Sequence, residues 1–129
     1  MSGNITIDEL QGEYDITYAT SPPLEHVYEP GIGSAKIQGN KLIGVDALGV
    51  IWNATFEIVN DNQLAFKATL DPKGTPETVG LLDKSGVMSR EPQDYEGVIK
   101  ISKSSTETIL RTQVQQGPLT IDVQFRKKA

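Results

Sequence analysis

Along most of this chain apolar and polar residues alternate one for one. Within Gly12–Thr20, Tyr14, Ile16 and Tyr18 fall on one side, and Glu13, Asp15 and Thr17 on the other. Within Val50–Val59, Val50, Trp52, Ala54, Phe56 and Ile58 share a side. Leu64, Phe66, Ala68 and Leu70 follow, and Leu119, Ile121, Val123 and Phe125 repeat the pattern near the end. A period of two puts successive side chains on opposite faces of a strand, so each stretch predicts a strand with one buried face and one wet face. Parallel sheets are covered on both faces and read as continuous apolar runs, so this alternation points to antiparallel pairing.

The residues between these stretches are turn formers. Gly39-Asn40 separates Ser34–Gln38 from Lys41–Asp46 and predicts a two-residue hairpin, because glycine takes positive φ without steric cost. Asn60-Asp61-Asn62, Ser102–Thr106 and Gln115-Gln116-Gly117 punctuate the later strands. Tyr95–Ser102 and Glu107–Gln115 read as strands with thinner apolar content. The sum is eight strands, with Thr78–Leu82 offering a ninth. Helix is confined to one start signal, Thr6-Ile7-Asp8-Glu9, a capping box that supports a single turn before Gly12. Two segments break the rhythm: Ser21–Gly31, with three of the seven prolines, and Pro72–Gln93, a long stretch punctuated by proline and glycine.

The chain is therefore expected to be all-β, one domain over residues 1–129, built as a single antiparallel up-and-down β-barrel of about eight strands after a short helical turn. Closure removes the exposed edges that short strands would otherwise present. A two-sheet sandwich shares the same local patterns.

Leu10-Gln11-Gly12-Glu13-Tyr14, a helical turn opening into the first strand, resembles the entry of calycins, the superfamily of lipocalins, fatty-acid-binding proteins and avidins. Where lipocalins carry Gly-x-Trp this chain has Gly12-Glu13-Tyr14, so the resemblance implies that Tyr14 plugs one barrel end. Asp94-Tyr95 is similar to a later lipocalin pair. Within the superfamily, Gly12-Glu13-Tyr14-Asp15-Ile16, the Gly33–Ile37, Asn40 and Gly44-Val45-Asp46 order, and Gly117-Pro118-Leu119-Thr120-Ile121-Asp122-Val123 resemble the bacterial lipocalin-like negative regulator of type III secretion. That resemblance implies action by binding a transcriptional activator through an acidic surface loop. The corresponding region here departs from it, since Asn60-Asp61-Asn62 carries one charge.

Composition narrows the chemistry. At 129 residues the chain can bury a real core. It has no cysteine, which excludes disulfides, thiolate catalysis and thiolate metal sites. The formal net charge of −5 disfavours phosphate backbones, and Arg126-Lys127-Lys128 reads as a solvated basic end. Met1-Ser2-Gly3-Asn4 lacks signal-peptide character and no apolar run spans a bilayer, so a cytoplasmic location is expected, with no membrane and no nucleic-acid partner.

Three groups of residues are candidates for function. Tyr14, Tyr18, Trp52, Phe56 and Phe66 fall on inward faces, where they either fill the core or line a pocket. Small inward residues at Ala35, Ala54, Ala68 and Gly97 leave room for the second use. Leu24, His26, Val27 and Tyr28 form an apolar stretch suited to docking a partner. His26 is the only histidine; with Glu25 and Glu29 it falls short of a metal or catalytic set, though His26 or Asp46 could serve a minimal acid–base pair. The expectation is a non-catalytic binding protein without cofactor or metal, acting through a protein partner or as a homo-oligomer. The alternatives are a carrier or sensor of a small apolar molecule in the barrel interior, and an enzyme with a minimal acid–base pair.

Overall fold

In the computed structural model, the structure describes residues 6–21, 31–60, 62–73, 75–76 and 80–128. Among these residues a four-residue helix, α1 (Ile7–Leu10), precedes ten strands: β1 (Gly12–Ser21), β2 (Gly31–Gln38), β3 (Lys41–Asp46), β4 (Ile51–Asn60), β5 (Gln63–Asp71), β6 (Leu81–Leu82), β7 (Met88–Ser89), β8 (Gln93–Lys103), β9 (Thr108–Gln116) and β10 (Leu119–Lys127). Eight of them close a barrel in the order β1-β10-β9-β8-β5-β4-β3-β2, every neighbour antiparallel. Each barrel strand pairs with the next one in the chain and β10 returns to β1, so the topology is up-and-down. The sandwich alternative is thereby excluded.

Of the ninth strand expected over Thr78–Leu82, Thr78 and Val79 lie outside the described residues, and Leu81–Leu82 forms the short strand β6. Leu81–Leu82 pairs only with Met88–Ser89, as a two-stranded hairpin outside the barrel sheet. Two residues per strand carry no readable period, and this hairpin depends on what it touches.

The turn at Gly39-Asn40 is where the sequence puts it, whereas the one expected over Gln115-Gln116-Gly117 falls at Gly117-Pro118, with Gln115 and Gln116 inside β9. Gln38 pairs with Lys41 across Gly39-Asn40, and Gly39 has φ +60°. Gln116 pairs with Leu119 across Gly117-Pro118, with Gly117 at φ +61°. Both glycines occupy the left-handed region that other residues avoid.

One barrel end is plugged. Thr6 caps α1, its side chain accepting from Glu9 N–H. A single turn is not stable alone, and four side chains fasten it to the barrel. Tyr14 Oη donates to Leu10 O at 2.7 Å, and Lys127 Nζ donates to Glu9 O at 3.0 Å. Gln11 exchanges two hydrogen bonds with the Gly39 backbone, and Lys103 pairs with Glu9. Beneath the helix Leu10, Tyr14, Ile16, Ile37, Leu64 and Leu110 form a solid, fully buried floor.

Candidate functional site

Above that floor the barrel is hollow. A cavity of about 620 Å³ occupies the half of the interior remote from α1, walled by Phe56, Phe66, Ala54, Ala68, Val123 and Phe125 among others. The volume falls within the range of pockets that hold one small ligand. It exists because the inward positions at this level include small residues: Ala54 faces Ala68 directly across the β4–β5 ladder. The larger rings lie flat over glycines on neighbouring strands instead of filling the centre. Tyr18 pairs with Gly31, where a Cβ would stand 2.2 Å from the ring, and Phe66 pairs with Gly97, where a Cβ would stand 3.3 Å away.

The polar pole of the cavity is Asp46, at the end of β3 and 7% exposed. Oδ1 accepts from Leu48 N at 3.0 Å and Val50 N at 3.1 Å, which fixes the β3–β4 turn. Oδ2 accepts from Trp52 Nε1 at 3.1 Å and Tyr18 Oη at 3.2 Å. Four donors occupy the four lone-pair positions of one ionised carboxyl group. The Tyr18 and Trp52 rings stand 5.5 Å apart, tilted by 50°, and Phe125 meets Trp52 edge-on at 6.1 Å. Burial, reinforced by the Asp46 charge, pushes the Tyr18 hydroxyl well above its usual range, so it stays a donor.

The β6–β7 hairpin closes one side of this chamber. β8 and β9 are laddered only from Lys100–Arg111 to Lys103–Thr108, and their other ends splay apart. The hairpin sits at that opening. Leu82 O accepts from Tyr95 Oη on β8 at 2.9 Å and from Gln116 Nε2 on β9 at 3.0 Å. Leu81 and Leu82 are buried and, with Met88, line the cavity. The hairpin's own turn is tied by Asp83, whose side chain accepts from Ser85 Oγ and from the Ser85 and Val87 amides at 2.7–3.0 Å. Deeper in the splay Thr112 Oγ1 donates to Val98 O at 2.9 Å.

Of the five inward aromatics expected to matter, Tyr18, Trp52, Phe56 and Phe66 line the cavity. Tyr14 lies in the plugged floor and is not among the lining residues. Leu24, His26, Val27 and Tyr28 lie outside the described residues, as do Glu25 and Glu29. Asp46, Tyr95, Thr112 and the hairpin leucines are also among the lining residues, as are Thr20 and Asn53. The signal for Asp46 was its parity, inward with Leu42 and Gly44, joined to inward Tyr18 and Trp52. The strand expected over Thr78–Leu82 included Leu81 and Leu82, but no residue pattern placed them in the lining.

Among the described residues no three histidine, cysteine, aspartate or glutamate side chains group closely enough to hold a metal ion. No helix is long and apolar enough to cross a membrane. A second depression, on the outer wall of β1, β10, β9 and β8, is rimmed by Lys100, Arg111, Gln113 and Asp122. Compared with known proteins, the chain matches no family model, no curated protein and no solved structure.

Proposed function

We propose that this chain is a non-catalytic binding protein whose barrel interior takes one small, largely apolar molecule. The observation that carries this reading is the cavity of about 620 Å³ above a solid floor, walled by aromatic and aliphatic side chains and oriented by a single polar pole at Asp46. A few convergent polar groups in an apolar pocket are what ligand recognition requires. Asp46 has its carboxylate oxygens taken by four protein donors, which leaves none of them free for proton transfer and supports binding over acid–base turnover.

Trp52 provides the test, since it is the only tryptophan and lines the cavity. A neutral apolar probe such as N-phenyl-1-naphthylamine is expected to bind saturably at one per chain, shifting Trp52 emission and being displaced by competing ligands. Emission that ignores the probe and a panel of apolar compounds would refute the reading.

A second reading, association with another protein chain, is favoured by the outer wall. Ile43, Val45 and Ile51 are each about half exposed on the outer face of β3 and β4, Val45 directly opposite Ile51. Ile32 and Leu48, also about half exposed, continue the patch to the cavity rim. Contiguous exposed apolar surface marks contact sites. The partner we propose for it is a second copy of this chain, because an apolar patch flanked by Lys36 opposite Ile43 and Asp71 opposite Ile51 carries charges of both signs and can complement itself across a two-fold axis. Sedimentation should show a dimer that Val45→Lys dissociates; a monomer at high concentration would rule it out. The resemblance to the type III secretion regulator supports protein binding in general, without the acidic loop.

A further inference from the structure

One charged group and the hydroxyl beside it dominate the polar pole of the cavity, and they select a ligand. We infer that the molecule held here is an apolar organic amine, its ammonium group seated against Tyr18 and Asp46 between the aromatic walls. The inference rests on the interior being a binding site and goes on to name the chemical class that fills it.

The first argument is charge. Asp46 is the sole acidic or basic residue, tyrosines apart, among the described lining residues, and no lysine, arginine or histidine joins it. A carboxylate or phosphate ligand would enter a low-dielectric chamber holding one like charge and no counter-charge. A cation would find the opposite.

The second argument is the direction of the hydrogen bonds. Tyr18 gives its proton to Asp46, Tyr95 to Leu82 O and Thr112 to Val98 O. The Trp52 N–H is also spent on Asp46. What these hydroxyls still offer inward is oxygen lone pairs, so a ligand group seated beside Tyr18 must bring the donors. Tyr18 Oη is the best acceptor of the set, because donating to a carboxylate polarises it. The third argument is aromatic. The Tyr18, Trp52 and Phe125 rings stand in one contiguous group beside the carboxylate, and ring faces attract cations, most of all where water is excluded. The remaining walls are hydrocarbon and suit the rest of the molecule.

The test compares three chain-matched probes at neutral pH, n-octylamine, 1-octanol and octanoate, followed by Trp52 emission and calorimetry. Octylamine is expected to bind about tenfold or more tighter than octanol, and octanoate weakest. Asp46→Asn would remove the charge but also loosens the turn, so Tyr18→Phe serves as the second variant. It keeps the ring and removes the acceptor. It should cut octylamine affinity by about fivefold or more while octanol, which brings one neutral donor, loses clearly less, and saturable octanol binding that persists reports that the pocket is intact.

Octanol binding as tightly as octylamine, or octanoate binding tightest, would overturn the amine assignment and leave the pocket standing. Amine preference unmoved in Tyr18→Phe would overturn the assignment to this pole. No saturable binding of any of the three would bring down both the assignment and the pocket reading beneath it.

Discussion

Asp46 joins three parts of the molecule through one side chain: the β3–β4 turn through Leu48 and Val50, β4 through Trp52, and β1 through Tyr18. An asparagine has one acceptor oxygen where the carboxylate has two, so Asp46→Asn must leave donors at this pole unpaired. Stranding a buried donor costs about 1–3 kcal/mol, and two donors are at stake on either oxygen. Urea denaturation is expected to show a loss of about 2–3 kcal/mol; a variant as stable as the parent would mean the pole is solvated and not dry. The tyrosines make a second prediction at the same scale. Burial holds the Tyr14 hydroxyl up at about 12 and, helped by the Asp83 charge, the Tyr95 hydroxyl up at about 12, against 10.0 for a free side chain. The folded state therefore keeps protons that the unfolded chain releases. That stability is complete below pH 10 and drains as pH rises through about 12, so alkaline unfolding should accompany tyrosinate absorbance, not follow it. Tyrosines ionising near pH 10 in a chain that stays folded would contradict the buried positions assigned to Tyr14 and Tyr95.

Two small elements close the barrel, and they differ in how far the sequence announced them. The helical turn was legible, because a capping box is a local signal written in Thr6 and Glu9. The β6–β7 hairpin was not, because its cause is tertiary: Leu82 O is claimed by Tyr95 and Gln116 from strands far along the chain. Only the glycines hinted at it, and only in hindsight. A Cβ at Gly117 would lie 2.2 Å from Ser85 O, and one at Gly86 would lie 2.8 Å from Gln116 O, so the hairpin tip is seated on the β9–β10 turn by two residues without side chains. Gly117 also has a positive φ. Gly117→Ala should thus lift the hairpin from its seat while the barrel ladders persist. Hydrogen exchange is expected to accelerate at the Asp83–Val87 turn and at the Leu81–Leu82 strand, and a bound apolar probe should dissociate faster. Unchanged exchange at the hairpin would show that its seat lies elsewhere.

For the molecule as a whole, an antiparallel barrel could be expected from the chain because parity is strict in β1, β4, β5 and β10 and the turn at Gly39-Asn40 is tight. Closure rests on the pairing of β1 with β10, which local patterns shared with a sandwich do not encode. The hollow could not be read either. Tyr18, Trp52, Phe56 and Phe66 point inward in a filled barrel and in an empty one, and periodicity carries no information about how far a ring lies from the axis. What decides between the two is small residues at the same level on neighbouring strands, Ala54 opposite Ala68, with Gly31 and Gly97 drawing Tyr18 and Phe66 against the wall. Natural cores are packed to crystal density, so a chamber of about 620 Å³ forgoes stability that filling would supply. The consequence can be measured by filling it. Ala68→Leu adds three carbons to a half-buried wall position that faces the cavity. At about 0.8 kcal/mol per buried carbon group the gain is about 1–2 kcal/mol, a rise in melting temperature of several degrees for a domain of this size. The same substitution occupies the ligand's volume, so probe binding should weaken by an order of magnitude or vanish. Stability rising while binding falls is the relation expected of a cavity kept open for a ligand. If Ala68→Leu instead destabilised the chain by the 1–3 kcal/mol typical of overpacking, the interior would be solid and the function would have to be sought on the outer wall.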